Sequence, residues 1–149
     1  MKLSTKGRYG LKAMFELALH YGEGPIPLKN IAESQDISEN YLEQLIAVLR
    51  RNGLATSVRG AQGGYMLNES PNNITVGDII RALEGDIAPS DCVLDENLNK
   101  CFKEEFCVTK NVWIKIRDSI NDVIDSITLK DMVDDFEKIN EEKEYMYYI

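Results

Sequence analysis

The chain has 149 residues, with 17 Lys and Arg against 25 Asp and Glu, one His, three Cys and a formal net charge of −8. An apolar share of 44% with 28% charged residues is that of one ordinary globular domain, at most with a small appendage. No stretch approaches the roughly 18 apolar residues of a membrane span, and the N-terminus lacks a long apolar core ending in small residues, so membrane-spanning and secreted readings are poor and a cytoplasmic protein is expected.

Residues 6–21 read as a first helix. Leu11, Met14, Phe15, Ala18 and Leu19 recur at the spacing of one buried stripe, before Gly22, Gly24 and Pro25 break it. A shorter helix follows over about 27–34, with Pro27 suited to its first position and Leu28 and Ile31 pointing inward. Gln35-Asp36-Ile37 makes a tight connection to Ser38, a good N-cap with Glu39 in the first turn behind it. The third helix, about 39–52, divides its faces most clearly. Leu42, Leu45, Ile46 and Leu49 form its apolar stripe, Gly53 supplies its stop, and Asn40, Glu43, Gln44, Ala47 and Arg51 lie opposite. Two helices joined by a short turn, the second with hydrogen-bonding outer residues, make a helix-turn-helix pattern. A helical hairpin of another small bundle would share these helices.

Residues 54–58 are strand-like, 59–64 turn, and 65–67 return, so a wing follows directly on the recognition helix. Its tip carries Arg59 beside Gly60, an arrangement suited to a narrow minor groove. In an isolated hairpin the same arginine would be an idle turn residue. Thr75-Val76-Gly77-Asp78 resembles a capping box with Asp in place of Glu, and opens a short helix that Gly85 ends. Residues 86–110 have little period. Over 112–127 a final long helix is expected, with Trp113, Ile116, Ile120, Val123 and Ile127 spaced 3, 4, 3, 4 as a dimerisation seam. Packing onto its own domain would give the same pattern. Residues 129–149 read as an acidic tail whose aromatic end, Tyr145-Met146-Tyr147-Tyr148-Ile149, packs on the body or is offered to a partner protein.

Charge is unevenly spread along these elements. Residues 1–67 carry eight Lys and Arg against six acids, a net +2, whereas 68–149 carry nine against nineteen, a net −10. Electrostatic attraction fades over about 8 Å at physiological salt, so a local basic face can hold phosphate on an acidic protein.

Three cysteines cannot pair without remainder, and a cytosol keeps thiols reduced, so Cys92, Cys101 and Cys107 are candidates for metal or redox chemistry. Their C-x8-C-x5-C spacing lacks the CxxC pair of a zinc ribbon, while soft thiolates suit an iron–sulfur cluster or zinc. Free thiols or redox-active, disulfide-forming ones are the alternatives. The lone His20 leaves little room for a His-based catalytic site, and no phosphate loop, HExxH or nucleophile elbow is present, so no enzyme is expected. A pure protein-interaction module acting through the tail is the competing class.

Lys2-Leu3-Ser4-Thr5-Lys6-Gly7-Arg8-Tyr9, Tyr41-Leu42-Glu43-Gln44-Leu45, Val58-Arg59-Gly60-Ala61-Gln62-Gly63-Gly64-Tyr65 and Val76-Gly77-Asp78-Ile79-Ile80 closely resemble the bacterial IscR/CymR/NsrR-type winged-helix transcription regulators. The likeness runs from Met1 to about Thr128. It implies a mainly α fold with a small β-hairpin: a winged helix-turn-helix domain over 1–85, a cysteine loop over 86–110, a dimerisation helix over 111–128 and the tail. It also implies a homodimer on a palindromic operator, with Asn40, Glu43 and Gln44 at major-groove base edges and Arg59 in the minor groove. Lys2, Ser4 and Thr5 would then lie near phosphate, and Ser38, Tyr41, Arg51 and Gly60 complete the candidate DNA-contacting set. The chemistry agrees, since glutamine bonds adenine bidentately and glutamate accepts from a cytosine amino group.

Cluster-binding members of that family hold an iron–sulfur centre with three cysteines in this loop, which implies one on Cys92, Cys101 and Cys107, a 2Fe–2S centre ahead of a 4Fe–4S one. The first interval here exceeds the usual five residues, and Lys110 stands where some members place a histidine. The fourth ligand is therefore open among Asp91, Glu104, Glu105, a partner-chain residue and solvent. The carboxyl end resembles that of the CymR branch, whose signalling runs through cysteine synthase instead of a cluster. The expected function is thus a repressor of iron–sulfur biogenesis or cysteine metabolism that senses through a cluster. A cluster-free thiol or cysteine-synthase-linked repressor is the alternative.

Overall fold

The computed structural model describes residues 2–94 and 101–148. Helix α1 spans Thr5–Leu19, α2 Leu28–Gln35 and α3 Glu39–Arg51. The first helix stops two residues before the expected end, because the Tyr21 N–H turns back to the Ala18 carbonyl at 3.2 Å. Pro27 sits just outside α2, as its N-cap. Between α2 and α3 the chain reverses at Asp36 (φ 53°, ψ 52°), a left-handed conformation that a short polar side chain tolerates. Strands β1, Ala55–Val58, and β2, Gly64–Leu67, pair antiparallel with Ala55 opposite Leu67 and Val58 opposite Gly64. A 3₁₀ turn at Pro71–Asn73 leads to α4, Val76–Glu84, which opens with the capping box read from Thr75 and Asp78.

The C-terminal third departs from expectation in two ways. Helix α5 spans Val108–Ser126, starting four residues before the expected 112, with Cys107 as its N-cap. It is not the last helix. The stretch read as an acidic tail forms α6, Leu129–Tyr147, opened by a second capping box between Thr128 and Asp131. Leu129, Met132, Val133 and Phe136 give it an inward stripe at helical spacing, and Phe136 meets Phe15 of α1 edge-on, ring centroids 5.5 Å apart.

One apolar core joins α1, α2, α3, the hairpin, α4 and the start of α6 through Met14, Leu17, Ile31, Leu42, Ile46, Leu49, Ile79 and Leu129. Helix α5 contributes no buried residue to it, although it lies against α4. Among the described residues no helix is long and apolar enough to cross a membrane.

Candidate nucleic-acid interface

Leu42, Leu45, Ile46 and Leu49 are buried on α3, which leaves Asn40, Glu43, Gln44, Ala47, Arg50 and Arg51 exposed on its other side. Ser38 caps the helix, its hydroxyl oxygen accepting from the Tyr41 N–H at 3.3 Å, so it serves α3 from within the chain. Tyr41 is half-buried. Its ring stands perpendicular to that of Tyr9, centroids 5.9 Å apart, and its hydroxyl donates to Thr5 Oγ1 at 3.1 Å. Those contacts tie the start of α1 to α3.

Two surface hollows show what else converges here. One is lined by Lys6, Tyr41, Gln44, Ala47 and Arg51, bringing the N-terminal end of α1 beside the outer face of α3. The other is lined by Arg50, Arg51, Gly53, Thr56 and Asn68, where the end of α3 meets the wing strands. Lys2 and Ser4 are exposed on the N-terminal arm, and Arg59 is exposed at the wing tip.

The wing turn is closed by Gly63 N–H donating to the Gly60 carbonyl at 3.0 Å, with Gly60 at φ 116°, which a side chain would resist. At its base, Tyr65 exchanges both backbone hydrogen bonds with Ile26, at 2.8 and 2.9 Å. Gly64 permits that approach, since a Cβ there would run into the Ile26 carbonyl. The wing is thereby fastened to the segment entering α2, and hence to the helix-turn-helix.

Charge on this side is uncommitted. Among the described residues, Lys2, Lys6, Arg8, Arg50, Arg51 and Arg59 form no ion pair; in the acidic half Arg81, Lys110, Arg117 and Lys130 each hold a carboxylate, while Lys103, Lys115, Lys138 and Lys143 do not. Cations without a local partner are the ones available to phosphate oxygens.

The three thiols are free. Cys92 lies in a 3₁₀ turn, Asp91–Val93, with its Sγ 3.3 Å from the Ser90 hydroxyl. The adjacent Val93 carbonyl accepts from Arg117 Nη1 of α5 at 2.8 Å, which fastens this turn to the long helix. Cys101 is exposed, ahead of a 3₁₀ turn at Glu104–Phe106. Cys107 lies 3.2 Å from the Thr109 hydroxyl, and that hydrogen bond, followed by the backbone N–H of Lys110, holds its thiol below the ordinary value. Lys110 binds the Glu104 carboxylate, one of the candidate fourth ligands. Among the described residues, no three His, Cys, Asp or Glu side chains lie close enough together to hold a metal, so the cysteines are not gathered into a ligand set.

A family model described as "Rrf2: Iron-dependent Transcriptional regulator" matches residues 3–135. The chain belongs to the Rrf2 family. It is 49% identical to the HTH-type transcriptional regulator CymR of Bacillus subtilis over 149 residues, covering all of both chains. It is 42% identical to IscR of Pectobacterium atrosepticum over 140 residues, 94% of this chain and 84% of that one. A solved structure described as T. potens IscR superimposes with a TM-score of 0.79 at 55% identity, covering 99% of this chain and 97% of the other.

As an Rrf2 protein the chain is a DNA-binding transcription regulator of winged-helix fold, and its relatives are regulators rather than enzymes. The sequence pattern did not single out Glu84, which bonds the start of α1, or Arg117, which holds the Cys92 turn. Both act across long sequence separations that no local periodicity reports. His20, noted only as a lone histidine, joins Glu16 and Glu23, at 3.2 and 2.6 Å, in a polar cluster at the end of α1. A Glu-x3-His-x2-Glu run across the end of α1 is the sequence signal for it.

Proposed function

We propose that this Rrf2 protein is a cytoplasmic homodimeric repressor that binds a palindromic operator. Asn40, Glu43 and Gln44 read base edges, Arg59 enters the minor groove, and Lys2, Thr5 and Arg51 meet phosphate, with Ser4 beside them on the arm and both its donors given to Glu84. Ser38 and Tyr41 hold α3, and Gly60 shapes the wing tip. The observation that carries this reading is the convergence of Lys6, Arg50 and Arg51, none of them in an ion pair, on the polar outer face of α3 and the adjoining wing strands. Dimerisation through α5 is supported by its lack of any buried residue. Trp113, Ile116 and Ile120, with Ile127 just past the helix end, are half-buried and Val123 is 56% exposed, a seam that the contacts with α4 cover only in part. Selection of duplexes from a random pool by the full-length chain tests the proposal, with recovery of a two-fold symmetric site as the expected result.

Sensing is assigned to an iron–sulfur cluster held by Cys92, Cys101 and Cys107, in a regulator of iron–sulfur biogenesis or cysteine metabolism. The donor chemistry fits: three reduced thiols, one of them at a helix N-terminus and already biased toward thiolate. When bound, a cluster supplies redox activity and sensitivity to oxidants. This chain's own residues link the segment to the rest, with Arg117 holding the Cys92 turn on α5 and Arg81 of α4 binding Asp125 of α5. Anaerobic protein is expected to be coloured, and to lose the colour when any of the three cysteines becomes alanine.

One observation favours a second reading. Tyr145, Met146, Tyr147 and Tyr148 are exposed, Tyr147 by 93%, and the likeness to CymR extends through this end. An aromatic terminus presented in this way suits a partner such as cysteine synthase, in which case signalling needs no cluster. Calorimetric binding to that enzyme, abolished by removing residues 145–149, separates the two.

A further inference from the structure

The first turn of α1 is capped from outside its own sequence. Ser4 is its N-cap residue, yet the Ser4 side chain makes no cap bond, and no acid stands in the first turn. The anionic partner comes from α4. Oε1 of Glu84, the last residue of that helix, accepts from the Ser4 N–H at 2.6 Å, from the Gly7 N–H at 3.3 Å and from the Ser4 hydroxyl. Gly7 leaves the space, since a Cβ there would lie 2.8 Å from that oxygen. One turn on, Gly10 admits the Leu83 side chain in the same manner. Next to Ser4, Thr5 accepts the Tyr41 hydroxyl of α3.

We infer that Glu84 is a positioning residue for DNA recognition: it fixes the arm of residues 2–5 against α4 and, through Thr5 and Tyr41, holds α3 at its working rotation. The inference rests on reading α3 and the arm as the DNA-contacting surface. An untethered N-terminal segment samples many conformations, and ordering it on DNA would lower affinity; a tether moves that entropy loss from binding to folding. The carboxylate does not leave a bare negative charge beside the duplex, because backbone N–H groups and the positive end of the α1 dipole take it up.

The test uses the full-length chain and a duplex that the wild type selects from a random pool. Glu84→Ala removes the carboxylate. Gly7→Ala displaces it without touching Glu84 and favours the helix, so this variant stays informative if the first folds poorly. Each variant is expected to weaken binding roughly tenfold or more, the double variant no further than the single ones, with the salt dependence of log K falling by about one phosphate contact. Additional loss in the double variant, or unchanged affinity in folded Gly7→Ala protein, would overturn the inference. So would tighter binding, since Glu84 would then be competing with phosphate. Failure of the wild type to select any duplex would strike instead at the DNA reading underneath.

Discussion

Thr75 and Thr128 face each other in an antiparallel bridge, each the N-cap of its own helix. Around them the Val76 N–H donates to the Ile127 carbonyl at 2.8 Å, and the Leu129 N–H to the Ile74 carbonyl at 2.9 Å. Helices α4 and α6 therefore start from one node, which docks the C-terminal helix on the core shared with α1. Losing a cap of this type costs about 1 kcal/mol, within a range of roughly 0.5–2. Thr128→Ala is expected to lower unfolding free energy by about that amount in denaturant titration, and Thr75→Ala similarly. No change in the denaturation midpoint would show that packing alone holds the node.

Glu43 tests base reading. A carboxylate at a base edge gains from a cytosine amino group and repels where no donor faces it, so it discriminates more than it binds. Glu43→Ala is expected to retain affinity while tolerating changed bases in competition assays. Arg51→Ala should weaken binding to all sequences alike and reduce the salt slope by about one. Equal loss for Glu43→Ala on selected and random duplexes would remove it from the reading surface.

His20 gives the stability curve a pH dependence. The Glu23 hydrogen bond, aided by the charges of Glu23 and Glu16, raises its pKa above the ordinary 6.5. Glu16 is 7% exposed and also accepts from Ser34 and Gln35 of α2, at 2.9 and 2.8 Å. A raised folded value means that protonated His20 contributes fully below pH 6.5, and that the contribution fades as pH rises through the folded pKa. Wild type is therefore expected to lose stability relative to His20→Gln as pH rises above 6.5 and through the raised folded pKa. Parallel curves would contradict this assignment.

The seam on α5 predicts an oligomeric change. Val123→Asp places a charge at the most exposed position of the seam and should convert a dimer to monomer in sedimentation analysis, with little effect on the monomer fold. A dimer that survives this substitution would place the interface elsewhere.

Much of the front half was legible because its signals are local. The stripe Leu42, Leu45, Ile46, Leu49 fixes which side of α3 is exposed, and the glycines around Arg59 mark the wing turn. The sixth helix is hard to see in the sequence although Thr128-x-x-Asp131 repeats the Thr75-x-x-Asp78 box, because acidic composition masks a stripe only four residues long. The start of α5 is obscure in the sequence because cysteine is not an expected N-cap, and Cys107 takes that position by backbone conformation without a side-chain cap bond. The Glu84–Ser4 and Arg117–Val93 bonds span 80 and 24 residues, and no periodicity could have announced them.

The central claim is that the uncommitted cations and polar face around α3 bind duplex DNA. Its most direct test is anisotropy titration of a selected duplex with the full-length chain at a series of salt concentrations, in reduced, oxidised and iron–sulfur-reconstituted states. The account predicts two chains per duplex in at least one state, with log K falling linearly and steeply with log salt as counterions leave the phosphates. Absence of binding in every state, or binding indifferent to salt, would contradict it.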